Sequence, residues 1–427
     1  MKLESVKTFI LCVLVGLSLL LTFGLWTYQP NNELTYDTSY VNEVDIGGIE
    51  ETKKSLIEPR SIIFHNNGRY FSYTDPLNSQ NLYKDMQSWV LYDLTVSDAS
   101  IPSNKYMVEL IFPDAIPVKM LPSLFTLNKD EPLPNWSFKR IFITFDPSAT
   151  TLHVTFLSVD ERKQATAMID NTGKYDLLWS ALSQFDDLSE YVLFEPGDEK
   201  IYLPKNDVQM KKRSMAVKGT DPDMLVNALF SNPSLVSANV GEAYFTDGQR
   251  GLSVMHDEKN MEFINPINPN FDPMDPADLL DSSISNVNEH KGWTNTYKLE
   301  KIDRSANSLR FRMRYDGYPV YNRNDLSVIE QVWREQELHQ YRRPLFILNN
   351  SLGEDPVTLP SGSDVIFFLQ NESEYEIDKI SDIQVGYQLS YLDNATYSLM
   401  LEPAWYVNYK GHWQEIKMND DRDKGGN

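Results

Sequence analysis

Histidine and cysteine most often carry metal or nucleophilic chemistry, and their spacing in this chain excludes the common arrangements. None of the histidines forms a His-x-His pair or the His-Glu-x-x-His pattern that places two imidazoles on one helix face. The single cysteine, Cys12, lies in an apolar run, so the rest of the chain has no thiol nucleophile and no internal disulfide. The sequence also has no Gly-x-Ser-x-Gly motif and no glycine-rich phosphate loop. We therefore predict no enzyme, no metal and no cofactor. The six histidines are His65, His153, His256, His290, His339 and His412.

Three arginines, Arg310, Arg312 and Arg314, alternate with apolar residues in one segment. Residues two apart share a face of a β-strand, so this pattern predicts a strand with an apolar face and a basic stripe. Guanidinium groups on one face can bind the carboxylates or phosphates of a ligand in bidentate fashion. They can also pair with acids on a neighbouring strand, and 61 acidic residues make such partners common. Internal pairing is the simpler of these two interpretations.

Four aspartates recur at spacings of three: Asp272, Asp275, Asp278 and Asp281. A calcium loop needs a sharply turning chain with glycine at its centre, but prolines 273 and 276 interrupt this one. Aspartate followed by proline is typical of a helix start. The series therefore indicates helix capping rather than a cation site.

The elements that would carry these residues predict an α+β fold of mixed, mainly antiparallel sheets with short helices. Asn67-Gly68 between two apolar runs indicates a hairpin, because both residues tolerate the positive φ of a tight turn. Asp221-Pro222 and Asp275-Pro276 each indicate a capped helix. A third helix is predicted from the apolar spacing of Leu82, Tyr83, Met86, Trp89, Val90 and Leu94.

The length of 427 residues favours more than one domain. Proline-containing stretches near Pro196–Pro204 and Asn265–Pro273 are predicted to separate them. The predicted order is a cytoplasmic tail (1–8), a transmembrane helix (9–28), a tether with a first α+β domain (29–206), a small central α+β domain (207–272), a C-terminal α+β domain (273–418) and a disordered tail (419–427).

The run Phe9–Trp26 contains no charged residue. A helix of this length nearly spans a hydrocarbon core of about 30 Å. Lys2 and Lys7 precede it, which places the short tail in the cytoplasm and the bulk of the chain outside. A cleaved secretory signal is the alternative, but its apolar region is usually shorter, about 7–15 residues. We predict a retained single-pass anchor.

Small and hydroxyl residues within this run lie four apart, as Cys12 with Gly16 and Ser18 with Thr22. Each pair would share a helix face that another helix could approach closely. Glycine and serine are also ordinary in single-pass anchors, so a partner-binding role needs further support.

The formal net charge of −22 excludes nucleic acid as an expected partner, because phosphates need a basic surface. An exported region of this size without cysteine is commoner in Gram-positive bacteria than in eukaryotes.

Several segments, taken in order from the N-terminus, resemble the YycH (WalH) family. They are Met1–Thr8, Tyr315–Val320, Tyr341–Leu345, Gly386–Leu389 and Leu401–Val407. The resemblance covers essentially the whole chain, and the combination is more specific than any single segment.

This resemblance implies an accessory regulator of the essential WalK–WalR (YycG–YycF) two-component system, without catalysis of its own. It implies two partners, a smaller YycI-type paralogue and the WalK (YycG) sensor histidine kinase, contacted largely through membrane helices. We expect the chain to modulate the autokinase activity of that kinase. An extracytoplasmic ligand-binding module is the alternative, and a hydrolase of cell-wall polymer is a weaker one.

Overall fold

Tight turns with a left-handed backbone define several hairpins of this protein. Its computed structural model describes residues 44–129, 132–146, 148, 150–239, 243–255, 259–266, 272–391 and 398–418. Asn67 and Gly68 have φ of 48° and 83°, and they join two paired strands as predicted. Asp316 and Gly317 repeat this geometry with φ of 47° and 79°.

Ten strands of the first half form one sheet, in the order β10-β9-β2-β1-β4-β6-β7-β8-β3-β5. Its pairs are antiparallel, apart from the parallel contact of β3 with β5. The strands are β1 Ser61–Asn66, β2 Arg69–Tyr73, β3 Val90–Asp98, β4 Tyr106–Pro117, β5 Thr126–Leu127, β6 Ser137–Asp146, β7 Thr151–Ser158, β8 Lys163–Ile169, β9 Leu188–Phe194 and β10 Ile201–Pro204.

A second sheet of 14 strands follows, in the order β12-β13-β14-β15-β20-β19-β17-β18-β22-β23-β11-β21, with β16 on β17 and β24 on β23. Its one parallel pair among the described strands is β18 with β22. The strands are β11 Val208–Gly219, β12 Ser237–Asn239, β13 Tyr244–Thr246, β14 Gly251–Met255, β15 Asn260–Ile264, β16 Tyr297–Asp303, β17 Ser308–Tyr315, β18 Tyr318–Tyr321, β19 Val328–Arg334, β20 Glu337–Pro344, β21 Phe346–Leu359, β22 Ile380–Tyr391, β23 Ser398–Tyr409 and β24 His412–Glu415.

The helices are short, and most begin at a side chain that caps the free N–H groups. Asp275 accepts a hydrogen bond from the Ala277 N–H (2.9 Å), which confirms capping there, and Asp221 likewise caps the helix that follows it. The α-helices described are α1 Lys53–Leu56, α2 Pro76–Met86, α3 Leu121–Leu124, α4 Thr172–Gln184, α5 Pro222–Leu229, α6 Pro276–Asn288 and α7 Gly362–Asn371, with 3₁₀ turns at Val118–Met120, Pro233–Leu235 and Ile377–Lys379.

The helix predicted across residues 82–94 is wrong beyond Met86. Ser88 Oγ donates to the Asp85 carbonyl (2.6 Å), an alternative to the helical hydrogen bonds. The next residues, rich in β-branched and aromatic types, pair with β8 as strand β3. Trp89 and Leu91 are buried as expected, but from a turn and a strand.

The mixed, mainly antiparallel α+β architecture is confirmed, and the described residues between 44 and 418 belong to one compact unit. Boundaries at 206/207 and 272/273 remain a prediction. Within the described residues, no helix combines the length and apolar composition that crossing a membrane requires. The predicted membrane helix (9–28) and the two predicted tails lie outside the described residues.

Candidate functional site: an arginine-lined groove

Strand β17 carries the three arginines on one face because its other face is anchored in the core. Leu309, Phe311 and Met313 point into the interior and are fully buried. β17 pairs with β16 on one side and β19 on the other, so its register is fixed at both edges. The alternating pattern of the sequence therefore corresponds to a real division of faces.

Arg312 is the most buried of the three and is held by Glu300. Its Nε and Nη2 donate to the two carboxylate oxygens of Glu300 at 2.5 and 3.0 Å. Glu300 lies at a β-bulge between Leu299 and Lys301, which turns its side chain toward the arginine face. Burial raises the pKa of Glu300, but the charges and hydrogen bonds of Arg312 and Arg310 together outweigh burial and lower the pKa below its ordinary value.

Arg310 lies among three carboxylates. It is 3.4 Å from Glu300, 3.0 Å from Asp325 and 3.5 Å from Glu330, its direct cross-strand neighbour on β19. The structure thus pairs Arg310 and Arg312 internally.

Arg314 differs, because it makes no ion pair with any described residue. Its Nη1 donates to the Gly317 carbonyl (2.9 Å), within the turn after β17. Burial lowers the pKa of its guanidinium, with no carboxylate close enough to compensate fully. Arg314 is therefore a partly buried cation with donors to spare.

All three arginines line a groove of about 790 Å³. Strands β16–β18 and β22–β24 form most of its wall, and Arg60, Asp114 and Lys139 reach it from the first sheet. We call this feature the arginine groove. Its basic lining residues are Arg60, Lys139, Lys298, Lys301, Arg310, Arg312, Arg314, Arg323 and Lys417, and its acidic ones are Asp114, Glu300, Asp303, Asp325, Glu330, Asp382 and Glu415.

Aromatic rings form part of the groove wall. The Tyr321 and Tyr406 rings stack with centroids 4.0 Å apart, and Trp413 lies 5.3 Å from Tyr321. The Arg312 guanidinium lies over the Tyr321 ring, 4.3 Å from its centroid. The Tyr406 hydroxyl and the Asn408 Oδ1 are buried in this wall without a hydrogen-bond partner among the described residues.

A second cavity of about 250 Å³ lies beside the groove, between β1, β2, β9 and β10 of the first sheet and β18 and β22 of the second. Arg60, Arg314, Pro319, Asp382 and Gln384 line both cavities. These five residues form a shared wall. Arg60 and Asp382 form an ion pair within it, joining the two sheets.

The described residues contain no group of histidine, cysteine and acidic side chains that could hold a metal ion. His65 and His290 instead make buried hydrogen bonds, to Glu109 and Tyr341. The four small residues predicted to contact a partner helix (Cys12, Gly16, Ser18 and Thr22) lie outside the described residues, and their role remains a prediction.

One buried polar cluster was not anticipated from the sequence. The Glu109 carboxylate, 1% exposed, is bound by Arg140 Nη1 (2.7 Å), His65 Nε2 (2.9 Å) and the Tyr202 hydroxyl (3.0 Å). Burial raises the pKa of Glu109, but the hydrogen bonds and charges of His65, Arg140 and Tyr202 together outweigh burial and lower the pKa. A single acid within the apolar run of residues 107–112 in β4 was the available signal.

The sequence matches the models of two family domains over nearly its full length. Residues 4–186 match the YycH protein N-terminal domain, and residues 198–423 match the YycH protein C-terminal domain. The chain belongs to the YycH family. The resemblance seen in the sequence is thereby confirmed.

One curated relative and one solved structure are similar to this chain. The chain is 26% identical over 458 aligned residues to a YycH-family protein of Bacillus subtilis (strain 168) named two-component system WalR/WalK regulatory protein YycH. The alignment covers 100% of this chain and 99% of that protein. The fold matches the crystal structure of YycH from Bacillus subtilis with a TM-score of 0.74 and 21% identity, over 88% of this chain and 100% of that one.

Proposed function

We propose that this chain is a regulatory protein of a WalK–WalR two-component system and has no catalytic role. Its alignment with a relative named for that regulation, over the full length of both, carries the proposal. Family membership in both domains supports it, since the family is named for a regulatory protein rather than an enzyme.

The proposed mechanism places the contact with the kinase in the membrane. A helix over residues 9–28 anchors the chain in the cell membrane, with its N-terminus in the cytoplasm and the folded region outside. Within the membrane, this helix packs beside the helices of the sensor kinase and of a YycI-type paralogue. Preferential contact with one state of the kinase shifts its conformational equilibrium and so its autokinase activity.

The test is co-purification of the sensor kinase with the full chain from membranes. We expect Gly16→Leu and Ser18→Leu to reduce the recovered kinase severalfold, because each enlarges a face on which close helix approach depends. Leu17→Phe is the matched control, since at about 100° per residue its bulk lies about 100° from both Gly16 and Ser18, on a different face. Unchanged recovery in both variants would overturn the helix-contact mechanism.

A second experiment separates the anchor from the domains it carries. Residues 1–28 fused to an unrelated exported domain should retain part of the effect on kinase autophosphorylation. Output identical to that of a strain lacking the gene would assign the regulation to the folded region instead.

A further inference from the structure

The arginine groove has the opposite charge balance to the chain that contains it. Its lining contributes nine basic and seven acidic residues, whereas the whole chain has a formal net charge of −22. Basic residues are therefore concentrated at this cavity, although acids predominate elsewhere. A cavity lined with excess positive charge concentrates anions.

Part of that positive charge has no internal partner. Arg314 gives one hydrogen bond to a carbonyl and makes no ion pair with the described residues. Arg323, exposed in the turn after β18, makes no hydrogen bond or ion pair with them. Lys139 approaches a single carboxylate, that of Glu199, at 3.7 Å. These three cations retain free N–H groups that can donate hydrogen bonds to an incoming carboxylate or phosphate.

The other two arginines of the stripe, Arg310 and Arg312, are already paired and hold the strand in place rather than offering free donors to a ligand. Arg312 is saturated by Glu300, the Val320 carbonyl and the Tyr321 ring. Arg310 lies among three acids. Their pairing fixes the strand beside Arg314 without neutralising Arg314 itself.

Size and lining define the ligand class further. A volume of about 790 Å³ is far larger than an inorganic ion needs and is typical of sites for organic ligands. The partly exposed Trp413 ring beside Tyr321 offers an apolar surface against which a ring can pack.

We propose that the arginine groove binds a small organic anion, a sugar-sized ring bearing a carboxylate or phosphate, with Arg314 and Arg323 as its anion-binding residues. This site lies in the folded region and does not depend on the proposed membrane contacts.

Isothermal titration of the purified full chain in detergent tests this site with three probes: glucuronate, glucose 6-phosphate and neutral glucose. We expect one or both anions to bind with a submillimolar Kd and glucose to bind at least tenfold more weakly. Binding by glucuronate alone identifies a carboxylate site, and binding by glucose 6-phosphate alone identifies a phosphate site. Absence of binding by both anions at 10 mM, or equal binding of glucose, would overturn the proposal.

Two variants locate the binding. Arg314→Gln should raise the Kd of the anion at least tenfold, because the substitution removes a charge-assisted hydrogen bond. Arg323→Ala should raise the Kd about threefold and cannot disturb folding through lost contacts, since its side chain makes none with the described residues. Arg162→Ala, at an exposed arginine away from the groove, is the matched control and should keep the wild-type Kd. Wild-type affinity in both groove variants, or equal loss in the control, would contradict the assignment.

Discussion

At the residue scale, the described part of the chain keeps some ionisable groups deep in the core without a counter-charge. His290 is 1% exposed and lies beside Arg343, which is fully buried. Arg343 donates to the Tyr341 hydroxyl (3.1 Å) and the Thr294 hydroxyl (3.0 Å), so neutral oxygens satisfy it. Burial, reinforced by the Arg343 charge, lowers the pKa of His290 to about 3. His290 is thus neutral throughout the physiological range.

This burial predicts a loss of stability in mild acid. Below pH 6.5 the unfolded chain binds a proton at His290, whereas the folded chain does not until about pH 3. Between pH 7 and pH 5 this one residue should lower the free energy of unfolding by about 2 kcal/mol. Urea unfolding at both pH values measures the loss.

Two variants isolate that contribution. His290→Gln should show a smaller decrease between the two pH values, whatever its absolute stability. His412→Gln, at an exposed position, should keep the wild-type decrease. An identical pH dependence in His290→Gln and wild type would refute the assignment to His290.

At the element scale, the hairpin turn between β17 and β18 is constrained from outside as well as by its own backbone. Gly317 has φ of 79°, and a Cβ at this position would lie 2.8 Å from the Cβ of Pro76 at the start of α2. Gly68 has a similar φ of 83°, but a Cβ there would meet nothing within 4 Å. The two turns therefore differ in packing and not in conformation.

Alanine substitution separates these contributions. Gly68→Ala should destabilise the protein by about 1–2 kcal/mol, the cost of the left-handed backbone alone. Gly317→Ala should cost about 1–3 kcal/mol more, because a neighbouring helix must also move. Thermal or urea unfolding of both variants provides the comparison. Equal losses would show that Pro76 yields without cost.

At the scale of the whole molecule, buried ion pairs join the two sheets. Lys298 of β16 donates to Glu58 (2.5 Å), and Arg60 pairs with Asp382 of β22. Burial, together with repulsion from Arg140, lowers the pKa of Arg60 to about 10, so it remains charged at neutral pH. Removal of either partner leaves a largely buried charge unpaired.

A double-mutant cycle tests this connection. Arg60→Met and Asp382→Asn should each destabilise the protein by about 3–5 kcal/mol. The double variant should lose less than the sum, with a coupling energy of about 1–3 kcal/mol in urea unfolding. Strict additivity would show that the two side chains do not stabilise each other.

Local signals in the sequence predicted local features of the fold. The Asn67-Gly68 turn, the cap at Asp275 and the two faces of β17 each depend on a few adjacent residues, and each is found in the structure. Apolar spacing alone could not distinguish helix from strand at Val90 and Leu94, where pairing with β8 decides the outcome.

The arginine groove could be predicted only in part. The alternation of Arg310, Arg312 and Arg314 identified one wall, but the difference between them arises from distant residues. Glu300 reaches Arg312 because of a β-bulge that no local sequence pattern predicts. Arg60 and Lys139 reach the groove from another sheet, across more than 150 positions of the chain. Such long-range pairing has no local signature.

The wall shared by the two cavities has a mechanical consequence. Arg314 and the Arg60–Asp382 pair face the groove on one side and the junction between the sheets on the other. A molecule that drew Arg314 toward itself would therefore alter the junction at the same moment. This coupling would be reciprocal. The free energy by which a bound ligand shifts the junction would equal the free energy by which opening the junction shifts the affinity of the groove. The wall would then couple ligand binding in the groove to the relative position of the two sheets.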